Sequence, residues 1–159
     1  MHKILIVYYS RTKNVEKMAF AVAEGAKEVK GIEVEVKKVE QASLEDLLEA
    51  DGIILGSPVY YGLMAGKLKS FIDESVKYHG KLEGKVGAAF TSSGATATGA
   101  ETTLLSMLQT MLVHGMIVQG CSDNKHYGAA AVGAPDEEGL EYCKELGKRV
   151  ATLVKKLKP

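Results

Sequence analysis

The sequence has little of several things that would otherwise define its class. It has only two cysteines, Cys121 and Cys143, and their spacing fits neither a metal site nor a redox motif. Twenty acidic and twenty basic residues give a formal net charge of zero, so it lacks the basic excess typical of proteins that bind nucleic acid or acidic membranes. No apolar run is long enough to span a bilayer. Residues 1–3 lead directly into an apolar strand pattern, without the layout of a signal peptide. We therefore expect a cytoplasmic protein with reduced thiols, no metal, no nucleic-acid partner and no membrane insertion.

The chain nevertheless has enough apolar material for a substantial core. Apolar residues make up 46% of its 159 residues, which is too high a fraction for a disordered chain. The length is close to that of one ordinary domain. The sequence shows no repeat, low-complexity tract or linker. We therefore predict a single domain over residues 1–159.

Predicted strands and helices alternate along the whole chain. Short apolar runs predict buried strands, apolar residues at 3.6-residue spacing predict helices, and Ser43 with Asp46 predicts a capping box before a short helix. The predicted strands are 3–9, 32–39, 52–56, 85–91 and 116–120, the last of which "YGAAAVG" (127–133) could continue after a break. The predicted helices are 15–29, 44–50, 65–78, 101–114 and 137–157.

This alternation predicts an α/β fold with helices on both faces of a parallel sheet. The second strand, "IEVEVKKV", alternates apolar with charged residues, as a charge-protected edge strand does. Right-handed crossovers then favour a three-layer sandwich around five strands in the order 2-1-3-4-5. In such sheets ligands bind beyond the carboxyl ends of the strands, between the first and third strands.

Three polar segments, 10–15, 57–62 and 91–99, follow three of the buried strands and should meet at that edge. The first combines short polar side chains with a helix N-terminus, which favours a phosphate. The second has two tyrosines after a proline and could form a flat wall for a planar ligand. The third is rich in small residues, so its backbone can approach a ligand closely. Together they predict a site for a phosphorylated planar cofactor.

These three segments also fit other interpretations. Ser10, Thr12 and Asn14 could be ordinary helix caps, and the glycine-rich run could be a plain loop. A phospho-receiver domain of the same topology would need carboxylates where this chain has Tyr9-Ser10 and Gly56-Ser57. A dinucleotide-binding domain would need G-x-G-x-x-G in the first loop, where it is absent. The cofactor site is favoured because all three segments follow the appropriate strands.

Four segments carry a family resemblance: "YYSRTKNVEKMAFAVAEGA", "GSPVYYGLMAGKLKSFID", "FTSSGATATGAETTL" and "LVHGM". They resemble the flavodoxin-like superfamily, and within it the tryptophan-repressor-binding-protein type of FMN-dependent NAD(P)H:quinone oxidoreductases. The resemblance implies bound FMN, NAD(P)H as reductant, a quinone or similar small-molecule acceptor, and a homo-oligomer, either a dimer or a tetramer. It implies FMN contacts from Ser10, Arg11, Thr12, Lys13, Asn14, Val15, Pro58, Val59, Tyr60, Tyr61, Gly62, Ser92, Ser93, Gly94, Ala95, Thr96, Ala97 and His114.

Two departures and one alternative accompany the resemblance. Lys13 stands where many flavodoxins have glycine, and the chain is shorter than the quinone reductases. His114 could simply end a helix, with Gly115 as its C-terminal cap. The alternative function is a flavodoxin-type carrier of single electrons between redox proteins. Such carriers are commonly strongly acidic, and the net charge of zero therefore favours the enzyme.

Overall fold

Five helices cover both faces of a parallel sheet in the computed structural model, which describes residues 1–158. In chain order the elements are β1 (His2–Tyr8), α1 (Asn14–Lys27), β2 (Ile32–Lys38), α2 (Leu44–Glu49), β3 (Gly52–Pro58), α3 (Gly66–Glu74), β4 (Val86–Ser93), α4 (Ala100–Val113), β5 (Ile117–Val118), β6 (Ala129–Val132) and α5 (Glu137–Leu157). Short 3-10 segments follow β2 (Val39–Gln41) and α3 (Ser75–Tyr78). The predicted helix 65–78 therefore ends as a 3-10 turn.

The sheet order β2-β1-β3-β4-β5 confirms the predicted flavodoxin-like topology, with one addition. The fifth position is divided between two strands, because β5 pairs with Val86 and Gly87 of β4 while β6 pairs with Phe90 to Ser93. Residues 119–128, which we call the strap, leave the sheet between them. The strap ends at Gly128, where a Cβ would lie 2.1 Å from the carbonyl oxygen of Ala89. Only glycine permits this close return to the sheet.

The core lies in two layers, one on each face of the sheet. Ile4 and Ile6 of β1 pack toward α1 and α5, whereas Leu5 and Val7 pack toward α2, α3 and α4. All four side chains are fully buried, which explains why β1 reads as a continuous apolar run. None of the helices within residues 1–158 is long and apolar enough to cross a membrane.

The helices differ in whether a side chain caps their N-terminus. The predicted capping box of α2 is confirmed, because the Ser43 side chain accepts from the amide of Asp46 and the Asp46 carboxylate accepts from the amide of Ser43. Helix α5 is capped by Asp136, which accepts from the amide of Gly139. The N-cap residue of α1, Lys13, provides no side-chain cap. The first-turn amides of Asn14 and Val15 are therefore available at the carboxyl edge of the sheet.

Candidate functional site

The three predicted loops meet at the carboxyl edge of the sheet around an open cleft of about 280 Å³. This is close to the lower end of the usual size range of ligand sites. The cleft is lined by Ser10, Arg11, Thr12, Asn14, Val15, Pro58, Val59, Tyr60, Ser92, Ser93, Gly94 and Gly133. The parallel topology explains the arrangement, since β1, β3, β4 and β6 all end at this edge.

One end of the cleft is built around the start of α1. Lys13 precedes the helix in the left-handed conformation, with φ of 69°. The Ser10 hydroxyl accepts from the amide of Glu16 at 3.3 Å and so draws the loop over the first turn. The amides of Asn14 and Val15 have no acceptor within the helix, and the helix dipole places partial positive charge beside them.

The side chains at this end also favour an anion. Arg11 lines the cleft, and none of the lining residues is acidic. Glu16, the acidic residue in the first turn of α1, does not line the cleft. Its carboxylate accepts a hydrogen bond from the Tyr8 hydroxyl at 2.7 Å. Burial, followed by the Glu16 carboxylate, raises the pKa of Tyr8 above its ordinary value, so the hydroxyl remains a donor. The electrostatics of this end therefore suit a phosphate group.

An aromatic wall follows β3. The Tyr60 ring lines the cleft and meets the Tyr9 ring edge-to-face, with centroids 6.2 Å apart. Tyr61 and Gly62 have φ of 50° and 75°, as in a type I′ turn, and the backbones of Tyr60 and Leu63 exchange two hydrogen bonds. This tight hairpin presents Tyr60 to the cleft and leaves Tyr61 fully exposed.

On the opposite side of the cleft, hydrogen bonds join β4 to the residue that follows β6. The Ser92 hydroxyl donates to the carbonyl oxygen of Gly133 at 2.6 Å, and the Gly133 amide donates to the carbonyl oxygen of Ser93 at 2.7 Å. The Val59 amide donates to the Ser92 carbonyl oxygen at 3.1 Å and links the β3 loop to β4. Because the Ser92 hydroxyl proton is committed to Gly133, its oxygen is left as an acceptor for a ligand.

The structure brings together most, but not all, of the residues predicted from the sequence. The predicted residues in the same loops that do not line the cleft are Lys13, Tyr61, Gly62, Ala95, Thr96 and Ala97. Gly133 lines the cleft but was missed. The signal that could have found it is the run "AAAVG", which ends a strand at the same edge as the other loops.

His114 requires a correction, because the chain does not bring it to the cleft. Helix α4 begins after β4 at the carboxyl edge and returns to the opposite edge, where His114 follows it. There Nε2 of His114 lies 2.7 Å from the Ser75 hydroxyl oxygen, and its ring centroid lies 5.9 Å from that of His79. Burial, followed by the charge of His79, lowers the pKa of His114. Within one chain, His114 therefore contacts other side chains of the protein and has no contact with the cleft.

The donor set of the cleft matches the chemistry of FMN. A phosphate fits the free amides at the start of α1, and a planar ring system fits against Tyr60. The exposed backbone at Gly94, where a Cβ would meet nothing within 4 Å, lets a ring edge approach closely. The cleft therefore fits a cofactor with one phosphate and one planar ring.

Comparison with known proteins agrees with this geometry. A family model described as NADPH-dependent FMN reductase matches residues 37–126, more than half of the chain. A flavodoxin of Aquifex aeolicus (strain VF5) is 41% identical over 97% of this chain and 88% of its own length. An NAD(P)H dehydrogenase (quinone) of Archaeoglobus fulgidus is 40% identical, covering 99% of this chain and 100% of the relative.

A solved structure extends the agreement to three dimensions. The flavodoxin, WrbA-like protein from Agrobacterium tumefaciens superposes with a TM-score of 0.86 at 26% identity, over 99% of this chain and 100% of that one. The resemblance found in the four sequence segments is thereby confirmed. The chain has a flavodoxin-like fold and belongs to the NADPH-dependent FMN reductase family.

Proposed function

We propose that the protein binds FMN in the cleft and passes two electrons from NAD(P)H to a quinone or a similar small acceptor. The observation that carries this proposal is the cleft itself, in which the free amides of the first turn of α1 and Arg11 stand at one end and Tyr60 forms a wall, without an acidic lining residue. Membership of the reductase family and a 40% identical NAD(P)H dehydrogenase (quinone) support the reaction class. Bound FMN would supply the redox chemistry, and the chain would supply binding and orientation.

Each loop has a distinct part in this proposal. Ser10, Thr12, Asn14 and the first-turn amides of α1 hold the phosphate. Pro58, Val59 and Tyr60 flank the ring, and the backbone of residues 92–94 with Gly133 contacts the ring edge and the sugar-alcohol chain. The rim residues 95–97 and Tyr61 close over the bound cofactor. Residues 1–159 act as one FMN-binding domain, because β1 and α5, at opposite ends of the chain, share one core layer.

A one-electron carrier is the second candidate, and the 41% identical flavodoxin favours it. Such carriers dock on basic partners through acidic surfaces. Here the acidic and basic residues balance, and Arg11 with Lys13 puts positive charge beside the cleft. These charges favour a small anionic reductant such as NAD(P)H over a protein partner.

The deciding experiment is anaerobic stopped-flow mixing of the FMN-loaded protein with NADH and with NADPH. We expect rapid bleaching of the flavin absorption, and its recovery when benzoquinone is added. Protein stripped of its cofactor is the control. Negligible reduction by both nucleotides would overturn the enzyme and leave the carrier. Release of FAD rather than FMN on denaturation would overturn both.

We also propose that the protein is a homo-oligomer. Leu105 and Leu112 lie seven residues apart on one exposed face of α4. The exposed hairpin side chains Tyr61 and Leu63 adjoin this face, since the Met64 amide donates to the Ser106 hydroxyl at 3.3 Å. Exposed apolar side chains grouped in this way mark an interaction site, and a second copy of the chain would cover them.

The cytoplasm is the proposed location. Cys121 and Cys143 are both free, and burial raises the pKa of the Cys143 thiol to about 12. Two cysteines that form no disulfide suit a reducing compartment, where disulfides are rare.

A further inference from the structure

A second groove lies beside the cofactor cleft, between the 3-10 turn after β2 and helix α3. It has a volume of about 390 Å³ and opens to solvent at the same edge of the sheet. Its lining residues are Val39, Glu40, Ala42, Gly66, Lys67, Ser70, Phe71 and Glu74. None of them belongs to the three loops that form the cleft or to the helix and hairpin that carry the proposed oligomer contact.

Tyr9 separates the groove from the cleft. On one side its ring meets Tyr60, the cleft wall, with centroids 6.2 Å apart. On the other side Nζ of Lys67, in the first turn of α3, lies 5.8 Å from the centroid of the Tyr9 ring. The residue after Tyr9 in the chain, Ser10, lines the cleft. A ligand lying against FMN at the mouth of the cleft would therefore have to pass only Tyr9 to reach the groove.

The groove has an apolar floor and a polar rim. The floor contains Val39 and Phe71, both buried, together with the half-buried Ala42. The rim contains the exposed side chains of Lys67, Ser70, Glu40 and Glu74. Nζ of Lys67 lies 3.6 Å from the Glu40 carboxylate, so the lysine of the groove forms an ion pair.

We propose, building on the function proposed above, that this groove binds the adenosine half of the nicotinamide dinucleotide and selects NADH over NADPH. The apolar floor accepts the flat adenine ring, and Lys67 faces the diphosphate from the first turn of a helix. Glu40 and Glu74 accept hydrogen bonds from the ribose hydroxyls, the role that an acidic residue has in NAD-binding proteins. A 2′-phosphate at that position would instead meet two carboxylates.

The test measures binding rather than turnover. The FMN-loaded protein is titrated calorimetrically with ADP-ribose, which lacks the nicotinamide, and with 2′-phospho-ADP-ribose. Ser70→Trp fills the groove with an exposed side chain, and Lys69→Trp on another face of the same helix is the matched control. Circular dichroism shows whether both variants fold. The double variant Glu40→Gln with Glu74→Gln tests the selection.

We expect ADP-ribose to bind the wild type and the Lys69→Trp variant and to lose affinity at least tenfold in the Ser70→Trp variant. The 2′-phosphate should weaken binding about five-fold or more, the effect of one like-charge repulsion at about 4 Å in water. In the double glutamine variant, the affinities for ADP-ribose and 2′-phospho-ADP-ribose should differ less than in the wild type. Equal binding to both tryptophan variants, or no binding of ADP-ribose, would overturn the site. Equal or tighter binding of the 2′-phosphate form would overturn the selection. In either case reduction of the flavin by NADH or NADPH would leave the proposed function standing.

Discussion

Gly147 of α5 lies directly against the backbone of Val22 in α1, so that a Cβ at Gly147 would be 1.9 Å from the Val22 carbonyl oxygen. Gly25 of α1 makes the reciprocal approach, since its Cβ would be 1.8 Å from the carbonyl oxygen of Lys144. The two helices therefore pack at backbone contact. This packing sets the position of α1, whose first turn forms the phosphate end of the cleft.

Replacing Gly147 with alanine should therefore destabilise the protein. Neither backbone can yield locally, so α1 and α5 must separate, and overpacking of this kind costs about 1–3 kcal/mol or more of the free energy of unfolding. Chemical denaturation measures the change. Gly66→Ala is the control, because an alanine Cβ there meets nothing within 4 Å. If Gly147→Ala unfolded at the same denaturant concentration as that control, the close helix contact would be wrong.

The phosphate loop should be visible as a difference between two flavins. The double variant Thr12→Ala with Asn14→Ala should bind FMN at least about tenfold more weakly relative to riboflavin, because a hydrogen bond to a charged group contributes about 1.5–3 kcal/mol. Quenching of flavin fluorescence measures both affinities. Thr152→Ala with Asn124→Ala makes the same chemical changes outside the cleft and should alter neither. An equal loss of both flavins in the first variant would show that this loop does not touch phosphate.

Stability should fall as the solution becomes mildly acidic, and His114 should be one cause. The Ser75 hydroxyl donates to the Ile72 carbonyl oxygen, so Nε2 of His114 carries the proton and donates to Ser75. Nδ1 is buried without a partner in the described part of the chain. Burial and His79 lower the folded-state pKa of His114 below its unfolded value, which is about 6.5. Below that pH the unfolded chain binds more protons, so the free energy of unfolding decreases as pH falls.

Denaturation at several pH values between about 5 and 7.5, the range in which histidines titrate, measures this dependence. The variant His114→Gln should lose part of the slope. His126→Gln, which removes an exposed histidine of the strap, controls for the loss of one imidazole. Parallel slopes for the wild type and His114→Gln would contradict the assigned environment of His114.

The oligomer should depend on the apolar face of α4. Glutamate at both Leu105 and Leu112 would place charges within the patch, and the double variant should be monomeric by light scattering where the wild type is not. Phe20→Glu is the matched control, because Phe20 is also exposed and apolar but lies on α1 in the other helix layer. A wild type that is monomeric at micromolar concentration would contradict the assembly and strengthen the electron-carrier alternative.

The sequence by itself determined the order of elements, the sheet topology and the three loops of the cleft. Each depends on signals that are local in the chain. The run Ile4 to Val7 has no polar position because both faces of β1 are covered, and Ser43 with Asp46 marks the start of α2 within four residues. Right-handed crossovers then leave few ways to arrange alternating strands and helices. The loops follow from that arrangement.

Only the tertiary structure decided which side chains share a space. Tyr60 and Tyr61 are neighbours of the same type, yet the sign of φ in one tight turn sends the first to the cleft and the second to solvent. Gly133 lines the cleft because β6 pairs with β4 after the strap. His114 does not line it, because α4 places His114 at the opposite edge of the sheet. These placements depend on contacts between segments far apart in sequence. Periodicity and turn chemistry describe only neighbours along the chain and carry no information about such contacts.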